Sequence, residues 1–371
     1  MIKSNLNFKK WYKYMKTSLF DYDLPEELIA RHPAKERSQS SLLCVKRSDE
    51  TIFHDHFFNL ERYLGPGDVL VLNDSRVIPA RLFGHRVPGG GKVEVLLTRE
   101  LEPMVWEAMV RPGKKIGPGD KIIFQAGVLK GEILHHINPG ERIIRFICRG
   151  DWWEVLQDIG HTPLPPYILK ARRDDLHTDF SHLAPEEPED RERYQTVYAL
   201  TKGSVAAPTA GLHFSLELLE RLRTLGVEIV SITLHVGPGT FKPVSSMNVE
   251  DHPMHKERYI IPEETAMKIN LAKKEKRRVI PVGTTVVRCL ESSSDKEGFV
   301  KAEERETQLM IVPGYRFQCS DAMLTNFHLP RSTLLMLVCA FAGTSLIMKS
   351  YQEAIDKHYR FYSYGDAMLI V

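Results

Sequence analysis

Apolar positions in this chain change their spacing twice, and each change marks a different kind of structure. Between Asp68 and Ile147 they come in short runs: DVLVLN, RVIPARLF, KVEVLL, MVWEAMV, DKIIF, VLKGEILH and RIIRFI. Turn-forming PGGG at 88–91, GPGD at 117–120 and NPG at 138–140 separate several of them. Runs of this length bounded by Gly and Pro read as strands. No amphipathic helix interrupts them, so they predict a small antiparallel β-barrel. Half of a β-sandwich is the competing arrangement.

From about Ser204 onward, helices and strands alternate. SLELLERLRTLG at 215–226 places Leu218, Leu219, Leu222 and Leu225 on one face, with Ser215 as N-cap and Gly226 as stop. VEIVSITLHV at 227–236 is a buried-strand pattern, and PEETAMKINLAKKEKR is a helix with Pro262 in its first turn. RVIPVG, AMLTNF and DAMLIV read as further strands, and STLLMLVCAFAG as an apolar helix. Such alternation predicts a largely parallel sheet covered by helices on both faces. Between the two regions, HTPLPPYI at 161–168 should be extended because proline disfavours helix. The charged stretch from Ala171 to Arg193 reads as a mobile surface segment.

The expected architecture is therefore α/β: a large three-layer α/β domain, discontinuous over 1–74 and 156–371, with an antiparallel β-barrel inserted at 75–155. Residues 1–14 form an N-terminal appendage, because the patterned sequence begins near Met15.

Composition narrows the class. The 371 residues carry 50 Lys plus Arg against 48 Asp plus Glu, a net charge of +2. Any nucleic-acid contact must therefore come from local patches. Candidates are RPGKK, with Arg111, Lys114 and Lys115, and KKEKRR, with Lys273, Lys274, Arg277 and Arg278. The alternative for each is a solvated face, and KKEKRR also complements a helix dipole. The five cysteines have no CxxC spacing, as expected of free thiols in a reducing compartment. With no apolar h-region at the N-terminus and no run long enough to span a bilayer, the chain is expected in the cytoplasm.

Several familiar motifs fail. A P-loop would need glycine at Arg86 and Ser or Thr at Val93. HPMH at 252–255 has no accompanying ligand cluster, so no metal is expected. A Rossmann methyltransferase would have an acidic residue near His235 and glycine at Phe241. LHVGPGTF still presents Gly237 and Gly239 after a strand, where backbone can approach a ligand; a plain turn is the alternative. Gly283-Thr284-Thr285 lies between a strand and a helix. Its amides could hold a carboxylate or phosphate, with Arg288 one turn along, or Thr284 could simply cap the helix. Asn73-Asp74-Arg76 marks the way into the barrel, as a polar hinge or as a substrate contact.

Longer runs carry a specific resemblance. YQTVYA at 194–199, GSVAAPTAGLHF at 203–214, FDYDLPEELIARHPAKERSQSSLL at 20–43 and LNDSRVIPARL at 72–82 form one part of it. LHVGPGTFKPV, VGTTVVRCLES, TNFHLPRSTLLMLVCAFAG and YRFYSYGDAMLI complete it. Together they are similar to the S-adenosylmethionine:tRNA ribosyltransferase-isomerases over nearly the whole chain from Met15. Departures fall at Pro238, Lys242, Lys256, Val286 and Cys289, and the charged segment at 169–190 is longer than usual.

The resemblance implies an α/β domain with an inserted barrel. It implies transfer and isomerisation of the ribosyl moiety of S-adenosylmethionine onto 7-aminomethyl-7-deazaguanine at the wobble position of tRNAs with GUN anticodons. The products would be epoxyqueuosine-tRNA, adenine and methionine. S-adenosylmethionine would be a consumed substrate, with no cofactor, and the enzyme a monomer. The rivals are an S-adenosylmethionine-dependent RNA methyltransferase and a non-catalytic RNA-binding protein.

The implied chemistry removes a proton from the carbon beside the sulfonium, opens the ribose with loss of adenine, and lets the acceptor amine add. Closure onto the freed aldehyde and expulsion of methionine would leave the epoxide. Histidine suits these proton transfers. His213, in the PTAGLHF run, is the first candidate, with a capping or core role as its alternative. His235 at a strand end and His328 in TNFHLP follow. The same runs supply Thr209, Gly211 and Asn326 as substrate contacts, and the aromatics of YRFYSY could stack a base or be core.

Overall fold

The computed structural model describes residues 15–176, 186–237 and 244–371. Residues 1–14, the middle of the charged segment, and Pro238, Gly239 and Lys242 lie outside the described residues.

The chain starts the main body with β1 (Ser41–Lys46) and β2 (Thr51–His56), then β3 (Val69–Asn73) and a short β4 (Ser75–Val77). It then enters a closed barrel of β5 (Arg81–Val87), β6 (Lys92–Glu102), β7 (Val105–Arg111), β8 (Lys121–Phe124), β9 (Leu129–His136) and β10 (Glu141–Cys148), every pair antiparallel. The expected barrel strands all form, although DVLVLN, as β3, belongs to the main sheet. The reason is the two-residue period. Val93, Val95 and Leu97 of β6, and Trp106, Ala108 and Val110 of β7, point inward and are buried. Helix α1 (Trp152–Ile159) caps one end, with Trp152 packed on Trp106 and Phe146. Its N-cap, Asp151, accepts from the amides of Trp153 and Glu154. Where the chain enters and leaves the barrel, Arg81 and His161 exchange backbone hydrogen bonds of 3.1 and 2.8 Å.

Helix α2 (Pro166–Leu176) follows, so the extended stretch ends at Pro165. Proline is well suited to a first helical position, where its missing N–H costs nothing. The described ends of the charged segment are tied to each other and to the body of the protein. Arg172 makes a buried bidentate pair with Asp190 at 2.6 and 3.1 Å, and the Tyr364 hydroxyl donates to the same carboxylate. Asp190 begins α3 (Asp190–Arg193).

The remaining chain builds the main sheet: β11 (Thr201–Ser204), α4 (Leu216–Thr224), β12 (Glu228–Leu234), β13 (Glu257–Ile261), α5 (Glu263–Lys274) and β14 (Val279–Pro281). Then come α6 (Thr284–Ser293), β15 (Glu303–Thr307), β16 (Met323–Asn326), α7 (Thr333–Ala342), α8 (Thr344–Asp356) and β17 (Ala367–Ile370). A five-stranded sheet runs β14-β3-β12-β13-β15 and a four-stranded one β16-β17-β1-β2. A parallel bridge between Val282 and Leu324 joins them. The sheet is mixed, not largely parallel: β14, β3 and β12 are parallel, β13 runs against them, and β15 pairs antiparallel with β13. Among the described residues no single helix is long and apolar enough to cross a membrane; α7 and α8 qualify only as a pair bent by 114°.

Gly84 tests the barrel's packing. A Cβ there would lie 2.7 Å from the Ile123 carbonyl oxygen and 2.8 Å from the Phe124 ring. Gly84→Ala should therefore cost about 1–3 kcal/mol in urea unfolding. Unchanged stability would mean that the barrel strands pack more loosely than described.

Candidate active site

The parallel strands β12, β14 and β16 all end at one cleft of about 600 Å³. Crevices outside the carboxyl ends of strands, where a sheet changes direction, are where open α/β folds bind ligands. Val236 follows β12, Gly283 to Thr285 follow β14, and Thr325 to Leu329 end β16; all line the cleft. Pro208, Thr209 and Ala210 close one side, and Tyr167, Tyr362 and Ser363 another. Of the candidates, Thr209, Gly283, Thr284, Thr285, Asn326 and His328 meet here.

Gly283 has φ 96°, which favours glycine. It is the N-cap of α6 with no side-chain cap, so Thr284 does not cap this helix. The first amides of α6 have no intrahelical acceptor and open toward the cleft. A helix N-terminus there favours an anionic group. Arg288 does not assist. Its buried guanidinium donates to the buried carboxylate of Glu257 at the start of β13, which corrects the expectation that it binds substrate.

Asn326 organises the wall. Its Oδ1 accepts from Thr209 Oγ1 at 2.9 Å, and its Nδ2 donates to His213 Nε2 at 2.9 Å. With Nε2 accepting, His213 carries its proton on Nδ1, which meets Ser40 Oγ at 2.7 Å. Both ring nitrogens are therefore occupied. His213 does not line the cleft; it stands one hydrogen bond behind it. Burial pushes its pKa down to about 3, helped by the positive charges of Arg360 and Arg37.

His328 does line the cleft. Its Nε2 is 2.8 Å from Thr325 Oγ1 and its backbone N–H donates to the Tyr351 hydroxyl at 2.9 Å. Burial lowers its pKa to about 3 as well. His235 points elsewhere. Its ring packs against Gly203, where a Cβ would approach to 2.9 Å, and burial with Arg258 nearby lowers its pKa. Of the three histidines, the third candidate, His328, lines the cleft, His213 stands one hydrogen bond behind it, and His235 is turned away.

The other candidates have structural duties. Gly211 is buried beneath the Tyr198 hydroxyl, 2.0 Å from where a Cβ would sit. Asn73 bonds both the N–H and the C=O of Leu234 at 2.9 Å, tying β3 to β12, so it is a clamp and not a substrate contact. Arg76 is exposed and lines a separate hollow beside Gln157 and Arg191. Gly237 lies next to Val236 in open space, outside the cleft lining.

The KKEKRR reading also changes. Lys273 pairs with Asp321, Arg277 with Glu228 and Glu275, and Arg278 with Asp68. These residues precede β14, whereas the cleft follows it, so they sit at the opposite edge of the sheet. Lys274 is exposed over the Phe299 ring. Arg111, Lys114 and Lys115 are exposed on the barrel, as phosphate contacts must be.

Sequence reasoning missed Tyr167, hidden in the proline-rich stretch. Its hydroxyl donates to Ser363 Oγ, and its ring meets Tyr362 edge-on at 4.9 Å. Tyr362 has φ 73°, an unusual conformation for an aromatic residue that often accompanies a functional site. Within YRFYSY, only Tyr362 and Ser363 reach the cleft; Tyr359 and Phe361 are core.

An α/β body whose strand ends meet in a largely apolar cleft with a few converging polar groups, with a β-barrel between β4 and α1, defines a class of two-part enzymes. A family model described as "Queuosine biosynthesis protein" matches residues 17–370. The chain belongs to that family. It is 49% identical to the S-adenosylmethionine:tRNA ribosyltransferase-isomerase of Desulforamulus reducens over 357 residues, 96% of this chain and 100% of the relative. It is 52% identical to the enzyme of that name from Carboxydothermus hydrogenoformans, with the same coverage. The crystal structure of S-adenosylmethionine tRNA ribosyltransferase from Thermotoga maritima is similar with TM-score 0.52 and 36% identity, covering 95% of this chain and 100% of the other.

The histidines make a pH prediction. An unfolded histidine titrates near 6.5, whereas folded His213 titrates near 3. Between those values the unfolded chain binds a proton that the folded chain does not. The stabilisation is complete above about pH 6.5 and is lost as pH falls toward about 3. His213→Gln should make stability fall less steeply between those limits in denaturant titrations. A slope equal to that of the parent protein would contradict burial of a neutral His213.

Proposed function

We propose that the chain transfers and isomerises the ribosyl moiety of S-adenosylmethionine onto 7-aminomethyl-7-deazaguanine at the wobble position of tRNA. S-adenosylmethionine is consumed as a substrate, and no resident cofactor takes part. The acceptors are tRNAs with GUN anticodons, and the enzyme works as a cytoplasmic monomer.

The observation that carries this reading is the lining of the cleft. Among the described residues it contains no carboxylate, thiol, lysine or arginine. A sulfonium is an alkylating agent, and such a wall offers it no strong nucleophile. The aromatic faces of Tyr167, Phe327 and Tyr362 suit a cation. The amides of α6 suit the methionyl carboxylate, and the hydroxyls of Thr209, Thr284 and Thr285 can orient the ribose.

Among the described residues, His328 is the one ionisable residue of the lining besides Tyr167 and Tyr362, whose pKa values burial raises. At neutral pH it is uncharged, the form that a proton acceptor needs. We assign it the transfer from the carbon beside the sulfonium. The depressed pKa makes it a weak base that readily hands the proton on to the adenine leaving group. His213 acts through Asn326 as a positioning residue. The exposed Arg111, Lys114 and Lys115 are offered to tRNA phosphates.

Incubation with S-adenosylmethionine and precursor tRNA should release adenine and methionine in equal amounts. S-adenosylhomocysteine would instead mark a methyltransferase. His328→Gln should lower single-turnover rates about 10²–10⁴-fold, with little change in S-adenosylmethionine affinity. Near-normal turnover in that variant would remove His328 from the proton path.

A further inference from the structure

Three runs distant in sequence, around Arg37, Arg193 and Arg360, converge on a second hollow of about 280 Å³. Ser40, His213 and Ser363 also line it. It shares a wall with the cleft, because Ser363 faces both and His213 bonds Asn326 on the cleft side.

The arginines are held almost wholly by neutral oxygens. Arg37 donates to the carbonyls of Leu212 at 3.2 Å and Glu192 at 2.8 Å. Arg193 donates to those of Lys35 at 3.2 Å and Ala34 at 2.5 Å, and its buried Nε has no hydrogen-bond partner. Arg360 donates to the His32 carbonyl at 3.4 Å and lies 3.7 Å from the carboxylate of Asp366. Carbonyls fix a guanidinium's direction without cancelling its charge. Three positive groups thus face one buried carboxylate, and the exposed Glu192 lies outside the lining. The repulsion is felt within the cluster: burial and then Arg193 lower the pKa of Arg37. Preformed, half-buried arginine forks with surplus charge match a phosphate, which accepts their N–H groups in pairs.

We propose that this hollow binds a phosphodiester of the tRNA, next to the nucleotide whose base enters the cleft. A phosphate and its base lie on opposite sides of one ribose, as the hollow and the cleft lie on opposite sides of the His213–Asn326 wall. This assignment rests on the ribosyl-transfer reading of the cleft. The competing anion is the methionyl carboxylate of S-adenosylmethionine.

The test compares Arg37→Gln and Arg193→Gln with the parent enzyme, using an unmodified tRNA transcript and, separately, S-adenosylmethionine without RNA. Each variant should weaken transcript binding about tenfold and reduce its salt slope by about 0.7–0.9. S-adenosylmethionine affinity should stay within twofold. An unchanged salt slope overturns the proposal, as does loss of S-adenosylmethionine affinity with RNA binding intact. If either variant fails to fold, Arg360→Lys, which keeps a positive charge beside Asp366 but removes the guanidinium fork, carries the same test. Failure of the parent enzyme to release adenine would sink the reading of the cleft instead, and the RNA salt slopes would still report on the hollow.

Discussion

The two halves of the main sheet are held together where β14 runs beside the chain leading into β16: the Asp321 N–H donates to the Val279 carbonyl at 2.9 Å and the Gly283 N–H to the Leu324 carbonyl at 2.7 Å. The pairing of β14 with β16 goes no further. Gly283 turns one chain into α6, and the other runs on through Asn326 into the loop that carries His328. The cleft is the gap that this parting leaves. Its two walls are a helix N-terminus and a polar strand end, because those are what follow the two strands. The positive φ of Gly283 therefore matters for shape before chemistry.

From that junction the polar order spreads through Asn326. A side-chain amide has two donors and one acceptor group, and Asn326 uses them on Thr209, on His213 and, at 3.4 Å, on the Asp366 carbonyl. Three segments, the strand end of Asn326 itself, the turn Thr209–His213 and the chain at Asp366, are thus locked by one residue. The same burial that makes this network rigid keeps both nearby histidines neutral. Among the described residues no positively charged side chain lines the cleft, while the arginines stay behind the wall, where an anion would meet them.

Much of the fold was legible because hydrophobic period is a local property. Barrel strands with inward Val95, Trp106 and Val110 could be read directly, as could the Ser215 cap, whose hydroxyl does accept from the Leu218 amide. The mixed sheet was not legible, since the direction in which β13 pairs with β12 is set by long-range contacts. The site divided in the same way. Turns after strands pointed to Gly283, Thr284, Thr285 and Asn326, which the structure brings together at one cleft. Arg288 and the KKEKRR run misled because their partners, Glu257, Asp68, Glu228 and Asp321, are remote in sequence. A charge without its partner reads as a free one. Tyr167 was missed because two prolines suggest extended chain, yet the second of them starts a helix.

On the proposed function, S-adenosylmethionine sits where the two half-sheets part, and hydrogen exchange measured with and without it reports on that placement. New protection is expected for the amides at the start of α6, Thr284 and Thr285, and for the Thr325–Leu329 loop, with the barrel strands unaffected. Protection confined to the barrel, or none at Thr284 and Thr285 under saturating substrate, would contradict it.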